Sequence, residues 1–187
     1  PHFDPRRSTT NDVVRQAIIP GSRRGDLGFA YAELVASEHQ GGPVSMVTHT
    51  WGCRFAILVA AVVADAIGDS EYGDTLSALE EGRTLELRDK LGSSASRVYW
   101  ICSFCVNQHS GICGGFGIPP PEGTEAHRRW EVARRDSVTG DLFEPCACRQ
   151  PKFFNDCPEE CEMNKFEDMM ALLGERVPDL EHVIVVD

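Results

Sequence analysis

The sequence predicts an α/β fold, a parallel sheet flanked by helices and interrupted by a cysteine-rich, metal-binding insertion. Three observations lead there. Short β-branched runs alternate with longer helical patterns in the order strand, helix, strand, helix, strand, which favours parallel pairing through crossover helices. The run RFAILVAAVVADAIG is apolar nearly all round, as expected of a helix buried on most faces. Finally, four thiols fall within sixteen residues, CACRQPKFFNDCPEEC.

Taken in order, residues 1–10 read as an extended arm. Asn11 or Asp12 caps a short helix that runs through Ile18 and stops at Pro20-Gly21. A second helix is expected from Asp26 to Ser37, closed by Gly41-Gly42. The run PVSMVTHTW gives the first strand, Val44 to His49. The buried helix follows, and then a more polar helix from Asp74 to Leu91, interrupted at Gly82. RVYWICSFCV, from Arg97 to Val106, is the second strand and is expected at the centre of the sheet. After Pro119-Pro120-Pro121 a helix spans Thr124 to Arg135, and then comes the cysteine loop. In the last helix Met163, Phe166, Met169, Met170 and Leu173 repeat at helical spacing, which marks a core-facing stripe. HVIVVD closes the chain as the third strand. This division gives an N-terminal arm with helices over 1–42 and an α/β domain over 43–187, its insertion at about 136–162.

Composition bounds the function. The chain has 187 residues, 42% of them hydrophobic and 25% charged, which is ordinary globular composition and excludes wholesale disorder. A net charge of −11 argues against a nucleic-acid binder working through a basic face. The longest apolar run, Phe55 to Ala64, is about half of what a membrane span needs, so no transmembrane segment is expected, and peripheral association with a membrane is left open. The sequence starts at Pro1 with no leader pattern and reads as a processed or partial chain.

The cysteines carry the strongest chemical signal. Cys146, Cys148, Cys157 and Cys161 have the spacing C-x-C-x8-C-x3-C, four soft ligands for a tetrahedral ion, zinc by default. Pro145, Pro151 and Pro158 keep this segment from forming regular structure unless something ties it down, and a metal does so. His109 and Cys113, four residues apart after the second strand, are candidates to replace one or two of the four. Disulfides or unligated thiols are the competing readings. A thiol-rich chain of this length favours an intracellular reducing compartment or an organelle interior over secretion.

The strand ends form a second candidate site. The first strand ends in Thr48, His49 and Thr50, the second in Asn107, Gln108 and His109, and the third in Asp187. In open parallel sheets the ligand crevice lies at the carboxyl ends of the strands. His49, Trp51, Asn107, Gln108 and His109 are therefore the candidate residues for binding a nucleotide such as NAD. The glycine-rich GICGGFG (Gly111 to Gly117) reads as a loop without the Lys and Ser/Thr of a P-loop. A nucleophilic pair of Cys53 or Cys105 with His49 or His109 is conceivable, but buried thiols beside packed imidazoles are more frequent. The sequence names no catalytic residue.

These same phrases, VTHTWG with RFAILVAAVVADA, then VYWICSFCVNQH and VIVVD, resemble a divergent branch of the TIR and heterokaryon-incompatibility (HET) superfamily that is numerous in unicellular algae. The resemblance covers Val44 to Asp187, the cysteine loop being an insertion of one subset. It implies a flavodoxin-like parallel fold. Catalytic TIR domains cleave NAD with a glutamate on a helix after a later strand. In the algal relatives that helix opens with an Arg-x-Trp-Cys-x-x-Glu-like phrase shortly after the strand matching VIVVD, and no such phrase occurs before Asp187. The expectation is therefore a non-catalytic interaction or scaffold module with a structural zinc loop and a protein partner or larger complex. The alternatives are a nucleotide-binding or NAD-cleaving fragment whose glutamate lies beyond residue 187, and an accessory subunit of a large organellar or membrane-associated complex.

Overall fold

The computed structural model describes residues 2–35 and 45–186. Its sheet is mixed into an α/β arrangement: β3 (Ser45–Thr48) lies between β4 (Tyr99–Ile101) and β5 (Glu181–Ile184), and both pairings are parallel. Val47 stands opposite Ile101 on one side and Val183 on the other. The sequence placed the second strand at the centre; the first takes that position instead. Burial gives the reason, since Ser45, Met46 and Val47 are all buried, whereas the edge strand β5 leaves Ile184 65% exposed despite its apolar sequence. Among the described residues no helix is long and apolar enough to cross a membrane.

Helices cover both faces. α4 (Phe55–Ile67) buries Ala56, Ile57, Leu58, Ala60, Ala61 and Ala64, and ends at Gly68, whose positive φ closes the helix. Ile57, Leu58 and Ala61 pack with Val47, Cys53 and Val185. The polar helix divides at Gly82 (φ +73°) into α5 (Gly73–Glu80) and α6 (Thr84–Leu91). On the other face Met46, Trp100 and the last helix meet: Leu173 is buried there, with Phe166 and Met169 beside it. Met170 (39% exposed) and Met163 (63%) leave that face, so the methionine stripe is narrower than its spacing implied.

The N-terminal region departs most from expectation. Thr9, rather than Asn11 or Asp12, caps α1 (Thr10–Val13), in a reciprocal capping box with Asp12. The helix continues as a π-helical turn, Val14–Ile18, into α2 (Ile19–Gly21). The expected helix from Asp26 is replaced by a hairpin, β1 (Arg23–Arg24) and β2 (Leu27–Gly28), turned at Gly25 (φ +62°). The Gly25-Asp26 pair supplies the tight turn, and glycines at 25 and 28 disfavour a helix there. Only α3 (Tyr31–Val35) remains of that helix; its expected end at Ser37 and Gly41-Gly42, and the start of the strand at Val44, lie outside the described residues.

Nor is the start of the chain a free arm. Thr10 N–H donates to the Cys53 carbonyl, Asn11 N–H to Trp51 and Phe55 N–H to Ser8, stitching this segment to the start of α4. The Asp12 carboxylate, 2% exposed, accepts from Thr9 N–H at 2.6 Å and Ser137 N–H at 3.0 Å, and also from the Ser137 hydroxyl. One buried acid thus holds the first helix to the loop after α8 (Glu125–Ala133). Asp12→Ala leaves these donors without a partner, and we expect a loss of about 1–3 kcal/mol in urea unfolding. A change below a few tenths of a kcal/mol would contradict this role.

Candidate metal centre

β4 is shorter than its apolar sequence predicts. The chain turns at Cys102 into α7 (Cys102–Cys105), because the buried Gln108 side chain folds back and donates to the carbonyls of Cys102 and Ser103. After α7, Asn107 caps a 3₁₀ turn, Gln108–Ser110, its side-chain oxygen accepting from His109 N–H at 3.0 Å. This turn aims His109 inward, where it is fully buried. Cys113 follows one helical turn later and is also buried.

The cysteine loop approaches from the other side. Cys146 N–H donates to the Cys113 carbonyl at 2.8 Å, Arg149 N–H to Asp26 at 2.7 Å and Phe153 N–H to Ser110 at 3.1 Å. The ligand atoms of His109, Cys113, Cys146 and Cys148 consequently lie within 4.8 Å of one another, a group able to hold a metal ion. Cys113 Sγ is 3.5 Å from Cys148 Sγ, and Cys146 Sγ is 3.7 Å from His109 Nδ1. No disulfide joins any cysteine.

Of the six metal candidates read from the sequence, the structure gathers these four and leaves two outside. Cys157 is exposed and Cys161 is buried away from the cluster. The linear C-x-C-x8-C-x3-C spacing is therefore split. The two pairs that meet are His109-x3-Cys113 and Cys146-x-Cys148, joined by the Cys146–Cys113 backbone bond.

The tautomer of His109 is fixed by its surroundings. Ser22 Oγ donates its single proton to the Ile18 carbonyl at 2.6 Å, so it accepts from His109 Nε2 at 3.1 Å. Nε2 therefore carries the hydrogen, and the lone pair of Nδ1 faces the thiols. Burial pushes the imidazole pKa below its ordinary value, and the nearby Lys152 and Arg23 add to that, keeping the ring neutral and able to ligate. The thiols are polarised unequally. Burial and its hydrogen bond with Cys148 push Cys113 up. Burial acts the same way on Cys148, but the Gln150 N–H, Cys113, Cys146 and Lys152 together bring it below the usual thiol range. Lys152 Nζ stands 3.9 Å from Cys148 Sγ, a positive charge that favours the thiolate of that cysteine.

Two contacts in this shell had no signal in the sequence, Ser22 and Gly28. The His109 ring lies so close over Gly28 that a Cβ there would sit 2.0 Å from the ring's Cγ. The Asn107 amide donates to the Gly28 carbonyl at 2.9 Å, and Gly28 N–H reaches Gln150 Oε1 at 3.4 Å. Glycine is required here by close approach.

The strand-end candidates separate. His49, Trp51 and Gln108 border an open groove of about 1570 Å³ at the carboxyl ends of β3 and β4. Asn107 and His109 do not line it; both serve the metal cluster. Asp187 lies outside the described residues. The GICGGFG loop carries Cys113 and bears Arg15 over Phe116, the guanidinium 4.1 Å from the ring centre and its Nη1 bonded to the Ile112 carbonyl. Burial lowers the Arg15 pKa to about 10.

Comparison with known proteins adds no name: no protein-family model, no curated protein and no solved structure matches this chain.

Gly28→Ala tests the geometry without touching a ligand. The added methyl must displace the His109 ring, so metal bound per chain should fall by more than half while the far-ultraviolet spectrum is kept. Full metal content in this variant would contradict the packing of His109 on Gly28.

Proposed function

We propose that the chain is a zinc-organised, TIR/HET-like α/β module that acts by binding a protein partner rather than by catalysis at its metal. The observation that carries this reading is the closed ligand set. Three thiolates and one imidazole fill a tetrahedron, whereas a catalytic zinc keeps one position for water or substrate. The spacing agrees with that ion. Zn–S bonds of about 2.3 Å and Zn–N bonds of about 2.0 Å imply S···S of about 3.8 Å and S···N of about 3.5 Å at tetrahedral angles, beside the 3.5 and 3.7 Å found here. Zinc is preferred because soft thiolates with one imidazole suit it, and because hard cations take oxygen ligands.

The role of the metal follows from what it joins. Its ligands come from the turn after α7 and from the cysteine loop, and the histidine's supports come from the N-terminal hairpin and α2 side. These segments have little regular structure to hold them, so ligand binding supplies their folding energy. The purified chain should contain about one zinc per molecule. Stripping it with a strong chelator should lower the melting temperature by on the order of 10 °C or more, reversibly on adding zinc. Less than half an equivalent, or a melting temperature indifferent to chelation, would remove the zinc reading.

The TIR/HET-like assignment is supported by the phrases VTHTWG and VYWICSFCVNQH, whose strands pair in parallel. The interaction role is supported by the mostly apolar groove at their ends. A second reading has its own support: His49, Trp51 and Gln108 border that groove, the place where a parallel sheet binds nucleotides. Native purification and incubation with NAD separate the two. A stable companion protein with NAD left intact supports the interaction module; nicotinamide release by the chain, with no companion, favours the enzyme.

A further inference from the structure

Among the described residues outside the candidate metal cluster, a second constellation of reactive groups stands out. Cys102 and Cys105 form a C-x2-C pair on α7, the helical turn that begins where the parallel strand β4 ends. Both are partly buried and share one surrounding, Met46, Trp100 and Leu173. Cys102 also borders the groove at the carboxyl edge of the sheet. Across that edge, from the end of β3, His49 places Nε2 at 3.7 Å from Cys102 Sγ. The other ring nitrogen, Nδ1, lies 3.3 Å from the Thr50 carbonyl, which can only accept, so Nδ1 carries the hydrogen and Nε2 presents its lone pair to the thiol.

We propose that Cys102 and Cys105 are a dithiol that exchanges with disulfides entering the groove, with His49 as the base that takes the Cys102 proton. None of the four metal-cluster residues takes part, so the proposal stands whether or not the cluster holds zinc. A C-x2-C pair at a strand-to-helix junction has the spacing of a redox dithiol. Residues three apart on a helix hold their Cβ atoms about 5–6 Å apart, and a disulfide needs about 3.5–4.5 Å. Closing the disulfide requires this four-residue turn to tighten. The chemistry balances as follows. Cys102 Sγ attacks one sulfur of R–S–S–R′ while its proton passes to His49 Nε2. The S–S bond breaks, R′S⁻ leaves and takes the proton from His49, and Cys102 is joined to R. Cys105 Sγ then attacks Cys102 Sγ, the bond from Cys102 to R breaks, and the departing RS⁻ takes up the Cys105 proton and leaves as RSH. The protein dithiol is oxidised by two electrons and the incoming disulfide is reduced to two thiols.

Cys102 is the attacking thiol because it faces the groove and the base; Cys105 does not border the groove. The groove's apolar lining, including Trp51, Ile112, Phe116 and Phe166, suits a disulfide carried on a peptide.

The test uses the full chain as purified, without chelator. It is incubated with oxidised glutathione or with a disulfide-bonded peptide, quenched by alkylation and mapped by mass spectrometry. Two thiols should be lost per chain, both on the Cys102–Cys105 segment. Reaction with either disulfide supports the site, and a faster reaction with the peptide assigns it to protein substrates. No loss at this pair, or oxidation confined to other cysteines, overturns the proposal. Cys105→Ser should accumulate a mixed disulfide on Cys102, and Cys102→Ser should form none on Cys105; the reverse pattern overturns the order of attack. His49→Gln should slow the exchange on the order of 100-fold while leaving the final oxidised fraction unchanged. An unaltered rate in that variant removes the base. Should Cys102→Ser fail to fold, the wild-type chain decides alone: with alkylating reagent limiting, Cys102 must be blocked before Cys105, and such blocking must stop the exchange.

Discussion

Three separate stretches of chain converge on His109, Cys113, Cys146 and Cys148, and the packing of the N-terminal segment, the turn after α7 and the cysteine loop depends on that convergence. The turn after α7 supplies two ligand atoms and the cysteine loop two more, while the first thirty residues supply the floor and the brace. Gly28 lies under the imidazole, and Ser22 holds its far nitrogen. A three-stranded sheet is a small core for a chain of this length, and its edge strand β5 is largely exposed. A metal held at this cluster would therefore contribute a larger share of the stability than a cross-link does where a broad sheet anchors every loop.

The second link between distant segments is polar. Asp12 and Asp136, both buried, use their carboxylates as hubs: Asp12 for the capping box and Ser137, Asp136 for the N–H groups of Val138 and Thr139 at 2.6 and 2.9 Å and for the Gln16 amide. Burial opposes the charge on Asp136, yet the backbone N–H groups and Gln16 outweigh it and hold its pKa below the usual carboxylate range. Together with the His109–cysteine cluster these hubs make the N-terminal segment part of the domain instead of an appendage to it. Two histidines in the same region illustrate how one side chain takes two chemistries. A serine behind His109 points its lone pair at thiol ligands, and a carbonyl behind His49 points its lone pair at a single thiol.

Elements whose local signal and burial agree were legible in the sequence. The buried helix, now Phe55–Ile67, the split at Gly82, the helix near Thr124 and the parallel sense of the strands follow from periodicity, glycine and element alternation, whereas the order of the strands does not. The hairpin in place of the helix expected at Asp26 had a local signal in Gly25 and Gly28, but the approach of His109 to Gly28, a contact across 81 residues, had none. The residues of the candidate metal cluster were legible as a pool and not as a set. Sequence spacing measures reach along the chain, so it grouped Cys157 and Cys161 with Cys146 and Cys148. The ligand set is decided across the chain, by the backbone bond from Cys146 to Cys113 and by the 3₁₀ turn that aims His109 inward.

The central claim is that this particular set of four holds a zinc ion, and X-ray absorption at the zinc edge of the purified chain tests it most directly. The account predicts a first shell of three sulfurs at about 2.3 Å and one nitrogen at about 2.0 Å, with the outer-shell scattering of an imidazole. A shell of four sulfurs would bring Cys157 or Cys161 into the site in place of His109, and a shell of nitrogen and oxygen alone would place the metal elsewhere; either result contradicts the assignment.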